Sequence, residues 1–300
     1  MNIAVLSKGS KNYSTIRLVE EAKLRGHDVS VINYAKCYVT LEQNNPLVNY
    51  KGVIVTDIDA IIPRISANLT KYGSSIVRQF EMQNVFTTTS SIAIVRARDK
   101  LRSMQLLAKS GVGIPKTVFV RETADYEDVL EQVGGAPVII KVARGTHGRG
   151  VVLAETRKAA LAVMQAFNVE GVSFLVQEYI AECRGSDIRA FVVNGKVVAS
   201  MMRKSVDDDF RSNLHQGGEG KIVKLTDVER RTAQKAAKAM GLTIAGVDLL
   251  RSDRGPLVLE VNASPGFGIE KITGRNVAAS VIEYMEHSAK TGRRKDKVGA

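Results

Sequence analysis

Three hundred residues, 44% of them hydrophobic, make about two domains' worth of chain with ample material for packed cores. No apolar run approaches a membrane span, and the apolar opening at residues 3–6 is too short for a secretory signal, so a soluble chain is expected. A net charge of +12, from 43 basic and 31 acidic residues, points to anionic ligands or partners. With 5% aromatics, no Trp, no zinc-finger spacing and no recognition-helix pattern, the composition argues against a base-stacking platform or a sequence-specific nucleic-acid reader.

From residue 1 to about residue 95 the pattern is strand, helix, strand, repeated. Strands are expected at 3–6, 29–32, 59–65 and 85–88, with helices carrying Ile16, Val19 and Leu24, then Ile76, Phe80 and Met82. This predicts a small open α/β domain of the doubly wound kind. Ser7-Lys8-Gly9-Ser10 stands where a dinucleotide fingerprint would be, so a dinucleotide role is not expected. Residues 38–54 read as a polar hairpin insertion. Arg64, after Pro63, reads as a strand-end residue and a candidate for a substrate carboxylate. His27 and His287 read as surface residues. The only cysteines, Cys37 and Cys183, lie far apart without metal-like spacing, which suits a reducing cytosol and a cytoplasmic protein.

A second unit begins near residue 92. Asp99 is placed to cap a helix with Leu101, Met104, Leu107 and Ala108 on one stripe. Strands follow at 117–120 and 138–142, and the second runs into Arg144-Gly145-Thr146-His147-Gly148-Arg149-Gly150 before a strand at 151–153. Glycines allow successive backbone amides to turn toward one anion, so a basic glycine-rich loop between two strands suggests a flap over phosphates. It is neither a Walker loop nor a Rossmann turn, and a plain flexible loop is the competing reading. Lys100 and Lys141 read as phosphate contacts or as ordinary solvated lysines.

Further on, a helix at 156–167 and a buried strand at 174–180 lead to Gly185-Ser186-Asp187. The Asn194-Gly195 turn then joins strands at 188–193 and 196–203, with Asp187 and Arg189 on one face. A polar loop carries Phe210-Arg211-Ser212-Asn213-Leu214-His215, and Thr226-Asp227-Val228-Glu229 is a capping box opening a helix that stops at Gly241. A hairpin centred near Arg254 should set Asp248 opposite Glu260, with Val258, Glu260 and Asn262 on one face. Two carboxylates and a carboxamide oxygen side by side call for a neutralising cation, and an oxygen-only set suits magnesium or manganese. Taken alone, the stretch reads equally as an exposed hairpin with scattered polar residues. An amphipathic helix through Val277, Val281, Tyr284 and Met285 closes the fold. From residue 288 a basic tail, in which five basic residues face one acid, is expected to be disordered.

The ordered set Asp99-Lys100, the Lys of Val138-Ile139-Ile140-Lys141, the glycine flap, Gln177-Glu178-Tyr179-Ile180 and Asp248 with Glu260 and Asn262 resembles the ATP-grasp ligases. Within them, Arg98-Asp99-Lys100-Leu101-Arg102-Ser103-Met104-Gln105-Leu106-Leu107, Asp209-Phe210-Arg211-Ser212-Asn213-Leu214-His215 and Glu260-Val261-Asn262-Ala263-Ser264-Pro265-Gly266 are similar to the RimK family of ribosomal-protein glutamate ligases. The similarity runs from the first strand to about Tyr284. It implies an α/β domain at 1–97 and a two-lobed ATP-grasp domain of mixed α and β at 98–287, with a central lobe to about 180 and a carboxy-terminal lobe beyond it. It implies an ATP-dependent carboxylate–amine ligase that adds L-glutamate to the C-terminal glutamate of the ribosomal small-subunit protein S6, or extends poly-glutamate, in a homo-oligomer such as a tetramer.

Residue by residue, the resemblance gives phosphate contacts to Lys100, Lys141 and the flap (Gly145, Thr146, Gly148, Gly150). It gives the adenine edge to Glu178 and Tyr179, and the ribose to Asp187. Arg211, Ser212 and Asn213 would face the triphosphate and the reacting carboxylate; Arg203 and Arg211 read as the catalytic cations or as surface charges. Asp248, Glu260 and Asn262 would hold two magnesium (or manganese) ions. His147 and Arg149 add basic character to the flap. Two other readings remain: a related ligase with a small-molecule or carrier-protein acceptor, and a non-catalytic ATP- or RNA-binding protein.

Overall fold

The structure, a computed structural model, describes residues 1–122, 125–143, 150–183, 185–205 and 219–291. In the first unit β1 (Asn2–Ser7), α1 (Tyr13–Leu24) and β2 (Asp28–Ile32) precede an antiparallel three-stranded sheet of β3 (Cys37–Glu42), β4 (Asn45–Tyr50) and β5 (Val53–Ile54). Then come β6 (Ala60–Arg64), α2 (Thr70–Met82) and β7 (Phe86–Thr87). The expected insertion at 38–54 is thus a small sheet of its own. The main sheet is parallel with order β2-β1-β6-β7.

Being central, β1 is apolar on both faces, as parallel strands require. Ile3 and Val5 pack with Leu18 and Ala22 of α1, while Ala4 and Leu6 pack with Ile76 and Phe80 of α2. The helices that follow β1 and β6 therefore cover opposite faces. The strand order reverses between β1 and β6, and this topological switch point opens at their carboxyl ends, Ser7 opposite Arg64.

The next unit holds α3 (Ser91–Arg98), α4 (Lys100–Lys109), β8 (Thr117–Val120), α5 (Tyr126–Gln132), β9 (Val138–Val142), β10 (Val151–Ala154), α6 (Arg157–Val169) and β11 (Phe174–Glu178). Asp99 caps α4 as expected, its Oδ1 accepting from the Arg102 amide at 3.0 Å. The sheet is antiparallel, order β10-β9-β11-β8. Alternation sends Val138 and Ile140 into a core with Leu130 of α5 and Met164 of α6, and turns Ile139 and Lys141 to the other face.

The last unit is a five-stranded antiparallel sheet, order β14-β13-β12-β15-β16, made of β12 (Ser186–Val193), β13 (Lys196–Lys204), β14 (Glu219–Ile222), β15 (Ile244–Ser252) and β16 (Gly255–Asn262). Helix α7 (Asp227–Ala239) opens with the capping box at Thr226 and Glu229. A short α8 (Ile269–Thr273) precedes α9 (Val277–Thr291), so residues 288–291 are helical rather than part of a disordered tail. Helix α9 packs back on α1, where Glu286 accepts from Arg25 at 2.7 Å and its other oxygen lies 2.7 Å from His27 Nε2. His27 is therefore an inter-element contact and not a free surface residue.

Candidate active site

Two hairpins of one sheet, β12–β13 and β15–β16, supply the charged centre. Each carries a one-residue bulge, between Phe191 and Val192 in the first and at Asp248/Leu249 in the second. The first bulge sets Asp187 opposite Arg203, and the second sets Asp248 opposite Glu260. Strand β12 also pairs β15 with Arg189 opposite Asp248. Two buried aspartates and two arginines thus meet on one face.

Arg203 Nε donates to Asp187 Oδ1 at 2.7 Å, and its Nη2 donates to Asp187 Oδ2 at 2.5 Å and lies 2.8 Å from Asp248 Oδ2. Arg189 forks onto Asp248, with Nε on Oδ1 and Nη2 on Oδ2, the latter at 2.6 Å. Burial alone pushes the Asp248 carboxyl up, but Arg189 and Arg203 outweigh it and hold it at about 2. Asp187 ends above its ordinary value, because burial and the Asp248 charge exceed what Arg203 returns. The Arg203 guanidinium is buried too, yet the two aspartates raise it above its usual range.

Arg189 was read from the sequence only as sharing a face with Asp187. Its signal lay in the glycine at 246. A Cβ there would come within 2.8 Å of the Pro265 Cβ and 3.3 Å of the Arg189 Cδ, so glycine lets the Arg189 stem cross the strand to Asp248. Part of the neutralisation that the sequence argument assigns to a metal is supplied by arginines. Arginines neutralise Asp248, and Glu260 is exposed. Val258 is corrected, since the bulge turns it into the core with Val261 and away from the side of Glu260.

Glu260 is nonetheless the hub of a cationic neighbourhood. Asn262 Nδ2 donates to its Oε1 at 2.9 Å. Its charge acts on Arg98, Lys100 and Lys141 together, each of which burial pushes below its ordinary value. Lys141, on the helix-free face of β9, is brought down to about 8. Lys100 Nζ donates to the carbonyls of Val142 at 3.0 Å and Ala143 at 3.2 Å, pinning the end of β9 where the glycine loop begins. Gly150 closes that loop at a positive φ of 72°, with Val142 so near that a Cβ would meet its Cγ2 at 2.4 Å. Glycine at 150 is thus required by the hairpin itself.

At the far end of β11, Glu178 is tied down on both sides. Its Oε1 accepts from the Lys116 amide at 2.6 Å and pairs with Arg254, and its own amide bonds the Lys116 carbonyl at 3.0 Å. Tyr179 is half-buried, and burial raises its phenol. Asp187, expected at a ribose, meets Arg203 with both oxygens. Gly145, Thr146, His147, Gly148, Arg149, Arg211, Ser212 and Asn213 lie outside the described residues.

The donors fit a hard divalent cation. Asp248, Glu260 and Asn262 offer carboxylate and amide oxygens, and the Asn262 amide nitrogen is directed to Glu260, so its oxygen is the atom that could face a cation. Three guanidinium contacts occupy Asp248, against about four lone-pair sites on a carboxylate, so an oxygen site remains for a metal. Among the described residues no three His, Cys, Asp or Glu side chains form a metal cluster, and no helix is long and apolar enough to cross a membrane.

A family model described as a RimK-like ATP-grasp domain matches residues 97–285, and one described as a RimK PreATP-grasp domain matches residues 1–94. A protein of Aliivibrio fischeri named probable alpha-L-glutamate ligase is 53% identical over 298 residues, 99% of each chain. One of Hydrogenovibrio crunogenus with the same name is 54% identical over 291 residues, 97% of each. Among solved structures, the ATP-grasp ligase PsnB complexed with minimal precursor, Mg and ADP superposes with a TM-score of 0.74 at 18% identity, covering 96% of this chain and 98% of that one.

Proposed function

Given that the chain belongs to the RimK-like ATP-grasp family, ligases that form amide bonds, we propose that it joins L-glutamate to the C-terminal glutamate of the ribosomal small-subunit protein S6. The observation that carries the reading is the approach of Lys100 and Lys141 to Glu260, beside Asp248 and Asn262. Such a site neutralises a triphosphate and a carboxylate held together. The names of relatives 53–54% identical across the whole chain support glutamate as the amino acid.

A carboxylate is a poor electrophile. In the proposed course its oxygen attacks the γ-phosphorus of ATP, the bond to the β-phosphate oxygen breaks, and ADP leaves. The amine of glutamate then attacks the acyl carbon, the bond to the phosphate oxygen breaks, and the nitrogen sheds a proton. Such transfers depend on positioning and charge cancellation, which Lys100, Lys141, the arginines and a bound divalent cation would supply, so no side-chain nucleophile is needed. Magnesium, when bound to Asp248, Glu260 and Asn262, supplies further charge neutralisation at the phosphates; a pair of ions, or manganese, belongs to the same proposal.

Arg203 is read as the cation that fixes Asp187 and Asp248 while facing the reaction, and Arg211 as its counterpart from the polar loop. The flap glycines Gly145, Gly148 and Gly150 with Thr146 are read as phosphate contacts, Ser212 and Asn213 as triphosphate contacts, and Glu178 and Tyr179 as the adenine edge. Division at 97/98 and near 180, cytoplasmic residence and a homo-oligomeric assembly complete the reading. The test measures ADP release with glutamate, with and without a protein ending in glutamate. Release that needs the protein supports it. Release with glutamate and a small acceptor redirects it to a related ligase, and no release leaves an ATP-binding protein.

A further inference from the structure

Arg64 is the last residue of β6, at the carboxyl end of the β1/β6 switch point, where open α/β sheets place their ligands. Its Nη2 donates to the Pro265 carbonyl at 2.6 Å, and its guanidinium lies 5.1 Å from the centre of the Phe267 ring. Pro265 and Phe267 follow β16, so Arg64 reaches from the first sheet to the loop just beyond Asn262. Arg98, the last residue of α3, donates from Nη2 to the carbonyl of Ile65, the next residue after Arg64, at 2.9 Å. The two guanidiniums are near enough that the Arg98 charge, added to burial, brings Arg64 down to about 10. Both residues are partly exposed.

Arg98 Nε, and Ser264 Oγ in the residue before Pro265, are among the buried polar atoms that have no hydrogen-bond partner among the described residues. Partially desolvated like charges side by side are unfavourable until an anion joins them. Glu260, whose charge reaches Arg98, also acts on Lys100 and Lys141. Among the described residues no carboxylate hydrogen-bonds either guanidinium, which leaves the pair open to an anion from outside.

We propose that Arg64 and Arg98, with the Ser264 hydroxyl, receive the non-reacting carboxylate of a glutamyl substrate at the mouth of the β1/β6 crevice. The guanidinium fork matches a carboxylate, and the spare donors at Arg98 Nε and Ser264 Oγ complete its hydrogen bonding. The inference rests on the glutamate-ligase reading. Free glutamate and the terminal glutamate of the acceptor carry the same group, and the test separates them.

KM values for L-glutamate, for a peptide ending in glutamate and for ATP are measured with the full chain and with Arg64→Met and Arg98→Met. Loss of a hydrogen bond to a charged group should raise one of the first two KM values about tenfold to a hundredfold, with the ATP value within about twofold. A rise for glutamate assigns the site to the amine donor, and a rise for the peptide assigns it to the acceptor. Arg64→Lys keeps charge and bulk should Arg64→Met misfold, and is expected to lie between wild type and Met. Unchanged KM values for both substrates, or an equal rise for ATP, overturn the proposal. Calorimetric titration with glutamate and with the peptide reads the site without turnover. A wild type that binds but does not ligate refutes the ligase reading and leaves the site standing, whereas equal binding by wild type and Arg64→Met refutes the site.

Discussion

Replacing Arg203 by Met tests the buried charge ring, because the side chain keeps its bulk and loses its charge. Arg203 is 4% exposed and makes three short contacts, two to Asp187 at 2.7 and 2.5 Å and one to Asp248 at 2.8 Å. The variant leaves two buried aspartates, 6% and 3% exposed, with Arg189 as the remaining member of the ring. Removing one partner of a buried ion pair costs about 3–5 kcal/mol, since a charge is stranded without compensation. For a domain of this size that is a fall in Tm on the order of 10 °C.

The pH dependence has a definite sign. Asp187 already lies above its ordinary value, and losing Arg203 raises it further. A group raised in the folded state contributes fully below its unfolded pKa and loses that contribution as pH rises through the folded one. The deficit of Arg203→Met is therefore largest at neutral pH and narrows on acidification. Adding Asp187→Asn should recover about 1–3 kcal/mol, a non-additivity read from a double-mutant cycle in urea. A loss below about 1 kcal/mol at neutral pH, or a deficit that stays constant on acidification, would refute the ring as described.

Glu260→Gln should abolish glutamate-dependent ADP formation in a variant that stays folded, because the side chain is exposed; undiminished ADP production would remove Glu260 from the metal site. Lys141, brought down to about 8, carries its charge below that pH and loses it above. Accordingly kcat/KM for ATP should fall as pH rises through about 8, earlier than an ordinary lysine allows, and Lys141→Arg should remove that fall; a wild-type profile flat across the window contradicts the assignment. Arg211→Lys, which keeps the charge and loses the fork, should lower kcat about a hundredfold with ATP binding nearly preserved. A parallel loss of ATP affinity would make it a ground-state ligand instead.

Element positions were largely legible because they rest on local rules. Alternation along 138–142, the Asn194-Gly195 turn, the Asp99 cap and the Thr226–Glu229 box all act within a few residues. What escaped is long-range. Helix α9 reads as an amphipathic closing helix of the last unit, but its partner α1 lies some 260 positions earlier, at Arg25 and His27 against Glu286. Lys100 reads from the sequence as a phosphate contact or a solvated lysine, and only folding brings it to the carbonyls of Val142 and Ala143.

The sequence by itself determined the order of the elements and set Asp248 opposite Glu260. The register device behind that pairing was decided by the sheet. A two-residue turn at Asp253-Arg254 would, continued regularly, set Asp248 opposite Leu259; the bulge at Asp248/Leu249 moves it to Glu260. The Asn194-Gly195 turn likewise points Asp187 at Met202, and the bulge at Phe191/Val192 moves it to Arg203. A bulge shifts every pairing beyond it by one residue, and in a strand one residue is the difference between the two faces. Whether a strand bulges depends on how its side chains pack against strands and helices brought from elsewhere in the chain. The charge ring, with Arg189 completing it, therefore exists only once β12, β13, β15 and β16 lie side by side.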